Sequence, residues 1–213
     1  MILLLISAGC VGGQQEVVVE SENAGGFEPA PNATFASPTP AYEQPDSRPE
    51  TPVAIPQRSP RDDINVTLAE QSFIDRLEAY RSDLGLDEFR EDPRLSRIAR
   101  QKAYDMGTRG YFGHEDPETG GNGIGRRLAR YDYACAEAAE LISKTAWKTP
   151  LAGSGDGPIN LTTEQQLADH VLSGLDDSEP HREELRQANR TTVGVGMYVT
   201  AEGEVYTTVI LCR

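Results

Sequence analysis

Tyr111-Phe112-Gly113-His114-Glu115-Asp116-Pro117 and Ser178-Glu179-Pro180-His181-Arg182-Glu183-Glu184-Leu185 decide how this chain is read. Together they hold two of its three histidines. Each follows a stretch in which apolar residues recur at helical spacing. Leu95, Ile98, Ala99, Ala103 and Met106 share one helical face before the first peptide; Leu167, Ala168, Val171, Leu172 and Leu175 do so before the second. Asp92-Pro93 supplies a cap and a first-turn proline for the former helix, which ends at Gly107 or Gly110. Thr162 or Thr163 caps the latter, and a short further helix begins near Pro180. Thr192 to Val199 and Val205 to Cys212 are β-branched runs joined across Glu202-Gly203, the pattern of a hairpin.

Upstream, Thr67-Leu68-Ala69-Glu70 reads as a capping box that opens a helix carrying Phe73, Ile74, Leu77, Tyr80 and Leu84 and ending at Gly85. Residues 138–146 form a candidate strand through Leu141-Ile142, and the glycine-rich stretch from Gly120 to Gly125 reads as a flexible loop. Helices that outnumber a small antiparallel sheet predict the α+β class.

The order of these segments resembles the CAP domain of cysteine-rich secretory proteins, antigen 5 and plant pathogenesis-related proteins, and in particular its secreted prokaryotic branch, of haloarchaeal type. That branch is expected to show an aromatic-x-His-x-Asp-Pro segment, a following glutamate, a Ser-Pro-Gly-His-Arg-x-x-Leu segment and a Gly-Val-Gly hairpin. The last of these stands here as Val193-Gly194-Val195-Gly196-Met197. The resemblance covers residues 66–213 and implies an α-β-α sandwich with a small antiparallel sheet between helices. It also implies a cleft where two histidines and one or two glutamates converge. Carried over, those positions are His114, Glu137 and His181.

Glu137 lies in Tyr133-Ala134-Cys135-Ala136-Glu137-Ala138, where relatives carry a Cys-Gly-Glu-Asn-like run. Ala136 and Ala138 depart from that pattern, so Glu140 stands as the rival. Glu164 is a distant candidate for a second family glutamate. Pro180 replaces the glycine expected before His181, and Leu175 occupies a position where relatives commonly carry tryptophan. Two imidazoles and a carboxylate suit a divalent metal such as zinc, with His114 and His181 as ligands. They suit equally a metal-free proton-sharing network or a purely structural hydrogen-bonding role. His170, beside Asp169, reads as a surface or half-buried histidine.

Other chemistries lack their motifs. Glu118 stands where a zinc-protease helix would need its second histidine, and Ala152-Gly153-Ser154-Gly155 misses the nucleophile-elbow spacing. No strand precedes Gly121-Asn122-Gly123-Ile124-Gly125, which disfavours a dinucleotide site.

The N-terminal quarter has a different character. Residues 1–10, ending in Ser7-Ala8-Gly9-Cys10, read as a secretory segment with a lipobox-like cleavage site and Cys10 as the lipidated residue. Residues 11–62 are rich in Pro, Glu, Ser and Thr and cannot bury enough apolar surface to offset their ordering entropy. They read as a tether that reaches roughly 40 Å if flexible and about three times that if stiffened by proline. Residues 63–213 form the expected domain.

The net charge of −14 comes with three lysines, 102, 144 and 148, and seventeen arginines. A carboxylate surplus is what a halophilic protein would use, because molar salt shortens the Debye length to about 3 Å. It also disfavours nucleic acid as a partner, since no basic stripe faces phosphates. With Cys10 lipidated, Cys135 and Cys212 remain either as a disulfide, which export permits, or as two free thiols. Asn32, Asn65, Asn160 and Asn189 each begin an N-glycosylation sequon.

The leading reading is thus an exported, membrane-tethered binding module of the cell envelope whose ligand is not readable from the sequence; the resemblance is compatible with an envelope component, a lipid or a peptide. A metal-dependent hydrolase built on His114, His181 and Glu137 is the second reading. A structural surface protein with a non-functional cleft is the third.

Overall fold

The computed structural model describes residues 58–118, 123–151 and 158–213. Cys10, Asn32 and most of the expected tether lie outside the described residues. The chain is already tied to the domain at Arg58, before the expected boundary at 63. The Arg58 carbonyl accepts a hydrogen bond from Val199 N at 3.1 Å, and its guanidinium pairs with Glu70.

Five helices and four strands follow: α1 Val66–Asp83, β1 Arg90–Glu91, α2 Pro93–Arg109, α3 Gly123–Arg130, β2 Ala138–Ala146, α4 Glu164–Asp177, α5 Glu179–Arg186, β3 Thr192–Val199 and β4 Glu204–Cys212. The sheet runs β1-β3-β4-β2. β2 and β3 both pair antiparallel with β4, and two-residue β1 lies parallel to β3 at the edge. The α+β sandwich is as expected, and that short parallel edge makes the sheet mixed.

Strand alternation sends side chains into two separate cores. Val193, Val195, Met197, Val199, Val205, Val209 and Leu211 join Phe73 and Leu77 of α1 and Leu167 and Val171 of α4. Ile210 and Cys212 meet Leu95, Ile98 and Ala99 of α2 and Leu128 of α3 on the opposite face. Gly194 and Gly196 face α2 with no side chain at all. A Cβ at Gly196 would stand 2.1 Å from the backbone nitrogen of Arg100, so α2 lies directly on β3 because glycine is there.

Two expectations are corrected. Asn65, rather than Thr67, caps α1: its side chain accepts from Leu68 N at 3.1 Å. The spacing 66, 70, 73 and 77 puts Glu70 on the buried stripe with Val66, Phe73 and Leu77. It is 3% exposed there and accepts from Arg58, Arg100 and the backbone N–H of Met197, so its buried charge is compensated from three sides. The glycine-rich stretch, in turn, passes into helix α3, because Leu128 and Ile124 pack on the α2 core.

Cys135 and Cys212 form a disulfide with Cα atoms 5.7 Å apart, across the register that pairs Ala138 with Cys212. Asn65, Asn160 and Asn189 are exposed. Pro180 sits in the first turn of α5, where a missing N–H costs no helix bond, so proline replaces glycine there without strain.

Candidate functional site

Each histidine is held by backbone that other side chains pin. α2 ends at Gly110, and the chain turns so that Tyr111 N donates to Met106 O. Lys102, 1% exposed, reaches from α2 to donate to the Tyr111 hydroxyl at 3.1 Å and the His114 carbonyl at 3.4 Å. Tyr111 in turn donates to Asp105. Arg109 pairs with both Asp105 and Asp116, the aspartate of the first signature peptide. α3 approaches so closely that a Cβ at Gly123 would lie 2.0 Å from the His114 carbonyl oxygen. His114 is therefore a loop residue on a rigid mount.

His181 stands in the first turn of α5. Buried Arg81 holds that helix by donating to the carbonyls of Leu185 and Gln187, at 2.9 and 3.2 Å, while its guanidinium stacks over Phe89. Arg182 ties the helix start to the Asp176 carbonyl at 2.8 Å. The two imidazoles meet with ring centroids 6.4 Å apart at 63°. Burial, then the neighbouring His114, lowers the pKa of His181, so its ring favours the neutral form.

The carboxylate beside them is Glu140, not Glu137. Glu140 is 2% exposed; its Oε1 lies 3.2 Å from His114 Nδ1, and its Oε2 accepts from Arg127 of α3. Glu137 is half exposed and pairs with Arg213 at 3.0 Å, while its backbone carbonyl accepts from Arg190 and from Arg213 N. The reason is strand parity. Ala139 and Leu141 face the α1/α4 core, so Ala138, Glu140 and Ile142 face α2 and α3, where the loop bearing His114 lies. Glu164 is also elsewhere: its side chain accepts from Asn65 N at 2.8 Å. His170 is half-buried on α4, and Leu175 fills the core.

Lys102, Arg109 and Arg127 were not singled out by the sequence reading. Asp116 in the signature peptide was the clue to Arg109. A lone lysine on the apolar stripe of α2 was the clue to Lys102.

The donor set does not fit a resident zinc ion. Both Glu140 oxygens are engaged, which leaves two imidazoles where a catalytic zinc takes three protein ligands and a structural one four. Among the described residues no group of three or more His, Cys, Asp or Glu is placed to hold a metal ion. The arrangement instead orients His114. Glu140 Oε1 faces His114 Nδ1 while Arg127 donates to Oε2, so one carboxylate fixes both the ring and the helix that packs beside it.

Comparison with known proteins agrees with this architecture. The uncharacterized protein YkwD of Bacillus subtilis is 27% identical over 143 residues, covering 67% of this chain and 47% of the relative. The chain thus spans about half the length of that relative. An extracellular SCP-domain protein of Bacillus anthracis shares the fold at TM-score 0.52 and 23% identity, over 68% of this chain and 40% of that one. An outer surface protein of Borrelia burgdorferi does so at TM-score 0.55 and 15% identity, over 70% and 96%. The cysteine-rich secretory protein family, CAP, matches residues 74–212, from α1 to the last residue of β4, and the chain belongs to that family.

Proposed function

We propose that the protein is an exported binding module, held at the cell membrane by a lipid on Cys10, whose His114/His181 cleft takes a lipid or peptide component of the cell envelope. The observation that carries this reading is the double engagement of Glu140. Arg127 and His114 each hold one of its oxygens, so the carboxylate is committed to fixing the imidazole and α3 in place. What the cleft offers is two oriented imidazoles, the hydrogen-bonding equipment of a recognition surface. The extracellular and outer-surface relatives support the compartment. Among the described residues no helix is long and apolar enough to cross a membrane.

Cosedimentation with cell envelopes tests the cleft. The Cys10→Ser protein is expected to cosediment, and adding His114→Ala and His181→Ala to weaken this about tenfold, the loss of one or two hydrogen bonds to a desolvated ligand. Undiminished binding by the triple variant would place recognition elsewhere. Zinc-stimulated cleavage of envelope peptides that Glu140→Gln abolishes would establish the hydrolase instead.

The anchor has its own test. In the native host, Cys10→Ser is expected to move the protein from the membrane fraction to the medium, because the acyl anchor supplies the membrane affinity in this reading. Unchanged fractionation would show that another segment holds it.

A further inference from the structure

β2 lies at the edge of the sheet, next to β4. Its ladder with β4 is bracketed by Arg213 N donating to Glu137 O and Trp147 N donating to Gly203 O. In an antiparallel pair such bonded positions fall on every second residue, so the odd-numbered residues of β2 bond to β4. Ala138, Glu140, Ile142, Lys144 and Ala146 therefore turn their N–H and C=O groups away from β4. Among the described residues these groups form no backbone hydrogen bond outside the sheet ladder. Glu140 shows that the edge meets solvent. Its side chain is 2% exposed while the residue as a whole is half-buried, so the exposure belongs to its main chain.

Edge strands are commonly blunted by proline, a bulge or an outward lysine. β2 has no proline, and its register runs unbroken from the Ala138–Cys212 pair to the Ala146–Glu204 pair. Its one lysine, Lys144, lies back across the sheet: Nζ pairs with Glu204 of β4 at 2.8 Å and stands 5.0 Å from the Tyr206 ring centre. Just past β2, extended backbone already pairs with the outgoing chain. Lys148 N donates to Leu161 O at 2.9 Å, and Leu151 and Ile159 exchange both their bonds, at 2.9 and 3.0 Å. The chain then leaves for the α4 cap at Thr163, and the edge from Ala138 to Ala146 stays unused.

We propose that an extended peptide docks along this edge as a further strand beside β2. A row of alternating N–H and C=O groups is matched by another peptide backbone, which offers the same groups at the same spacing; a lipid tail offers none. The inference rests on the binding-module reading and chooses the peptide over the lipid. Glu140 joins the edge to the cleft, since its main chain lies on the edge and its side chain holds His114. A peptide residue opposite Glu140 carries its side chain on the same side of the sheet, next to the half-exposed His114 ring. Backbone pairing then supplies affinity, and the histidines read one side chain of the ligand.

Amide hydrogen exchange of the full-length Cys10→Ser chain, followed by NMR, tests the assignment with a positional-scanning library of blocked heptapeptides as the probe. In the free protein the amides of Glu140, Ile142 and Lys144 are expected to exchange about tenfold faster than those of Leu141 and Ser143, which the ladder holds. At least one heptapeptide should bind saturably and slow those three amides about tenfold. Lys144→Pro removes an edge N–H and no ladder bond, so it should weaken binding about tenfold by leaving a peptide carbonyl unpaired. Lys144→Thr keeps the N–H, loses only the Glu204 pair and should bind like wild type. No saturable binding by any heptapeptide overturns the proposal, as does binding that leaves the three amides unprotected or wild-type affinity in a folded Lys144→Pro chain. Protection that appears on raising the protein concentration alone would give the edge to a second copy and overturn the peptide. Should Lys144→Pro fail to fold, N-methylated versions of the bound heptapeptide decide: loss of binding at alternate positions supports the added strand, and unchanged affinity at every position overturns it. Envelope binding that His114→Ala with His181→Ala abolishes and Lys144→Pro retains would overturn the edge while leaving the binding-module reading in place.

Discussion

Replacing Cys135 and Cys212 together with serine lowers the unfolding free energy by about 4 kcal/mol, the loop-closure entropy that a bridge over a loop of this size removes from the unfolded chain. The bridge joins residues 77 apart, and that loop contains β2, α4, α5, β3 and β4. Both Glu140 and His181 lie within it, so reduction loosens the elements that carry the site rather than a peripheral loop. For a domain of about 150 residues this corresponds to a fall in melting temperature of roughly 8–16 °C. Thermal unfolding followed by circular dichroism measures it, and wild type in reductant should melt with the variant. A shift of less than about 2 °C would mean that the unfolded chain is already constrained at these positions.

The site-bearing half of the fold was legible because its signals are local. Asp92-Pro93 names the start of α2 by its own chemistry, and Thr163 with Gln166 names that of α4, where both halves of the capping box form. Gly194 and Gly196 were legible as the family's Gly-Val-Gly hairpin, and the structure shows that their missing side chains let α2 approach β3 closely. What escaped depends on tertiary contact. β1 is two residues long and exists only because Thr192 and Val193 lie beside it. α3 begins in glycines that argue against a helix, and burial of Leu128 outweighs them. Asn65 and Thr67 are both capping residues, and only packing of the Val66–Phe73–Leu77 stripe chooses between them.

The glutamate of the cleft was missed for a different reason. Aligning on the run after Cys135 favours Glu137, and strand parity was the better guide. Leu141 and Ile142 were already assigned to a strand, and two consecutive large apolar residues in a strand must enter opposite cores. Glu140 then shares a face with Ile142, and Glu137 shares a parity with Leu141. A carboxylate has no partner in the apolar core that Leu141 enters, so Glu137 stays outside it, ahead of the strand. Polarity alone could not separate the two, because both are glutamates near a cysteine. The partners that stabilise Glu140, Arg127 and His114, come from segments that only the folded chain brings together.

Single substitutions turn that distinction into a measurement. Glu140→Ala leaves the guanidinium of Arg127, 14% exposed, without its carboxylate and removes the acceptor that orients His114. Removing one partner of a buried pair costs about 3–5 kcal/mol, because the other charge remains desolvated. Glu137→Ala removes a half-exposed side chain paired with an equally exposed Arg213, while the backbone carbonyl that holds Arg190 stays in place. Its expected cost is below about 1 kcal/mol. Urea unfolding of the two variants should therefore differ by a midpoint shift large enough to order them without extrapolation. The His114 ring resonances in an NMR spectrum should move in Glu140→Ala and stay in Glu137→Ala, a readout that global stability alone would not produce. Equal destabilisation by the two, or a His114 shift in the Glu137 variant, would return the cleft to the residue that the family alignment first indicated. An Arg127→Met, Glu140→Met double variant should regain much of the loss. Two apolar side chains of similar volume leave no unpaired charge between α3 and β2, and the bridge then matters for holding His114 more than for holding the fold.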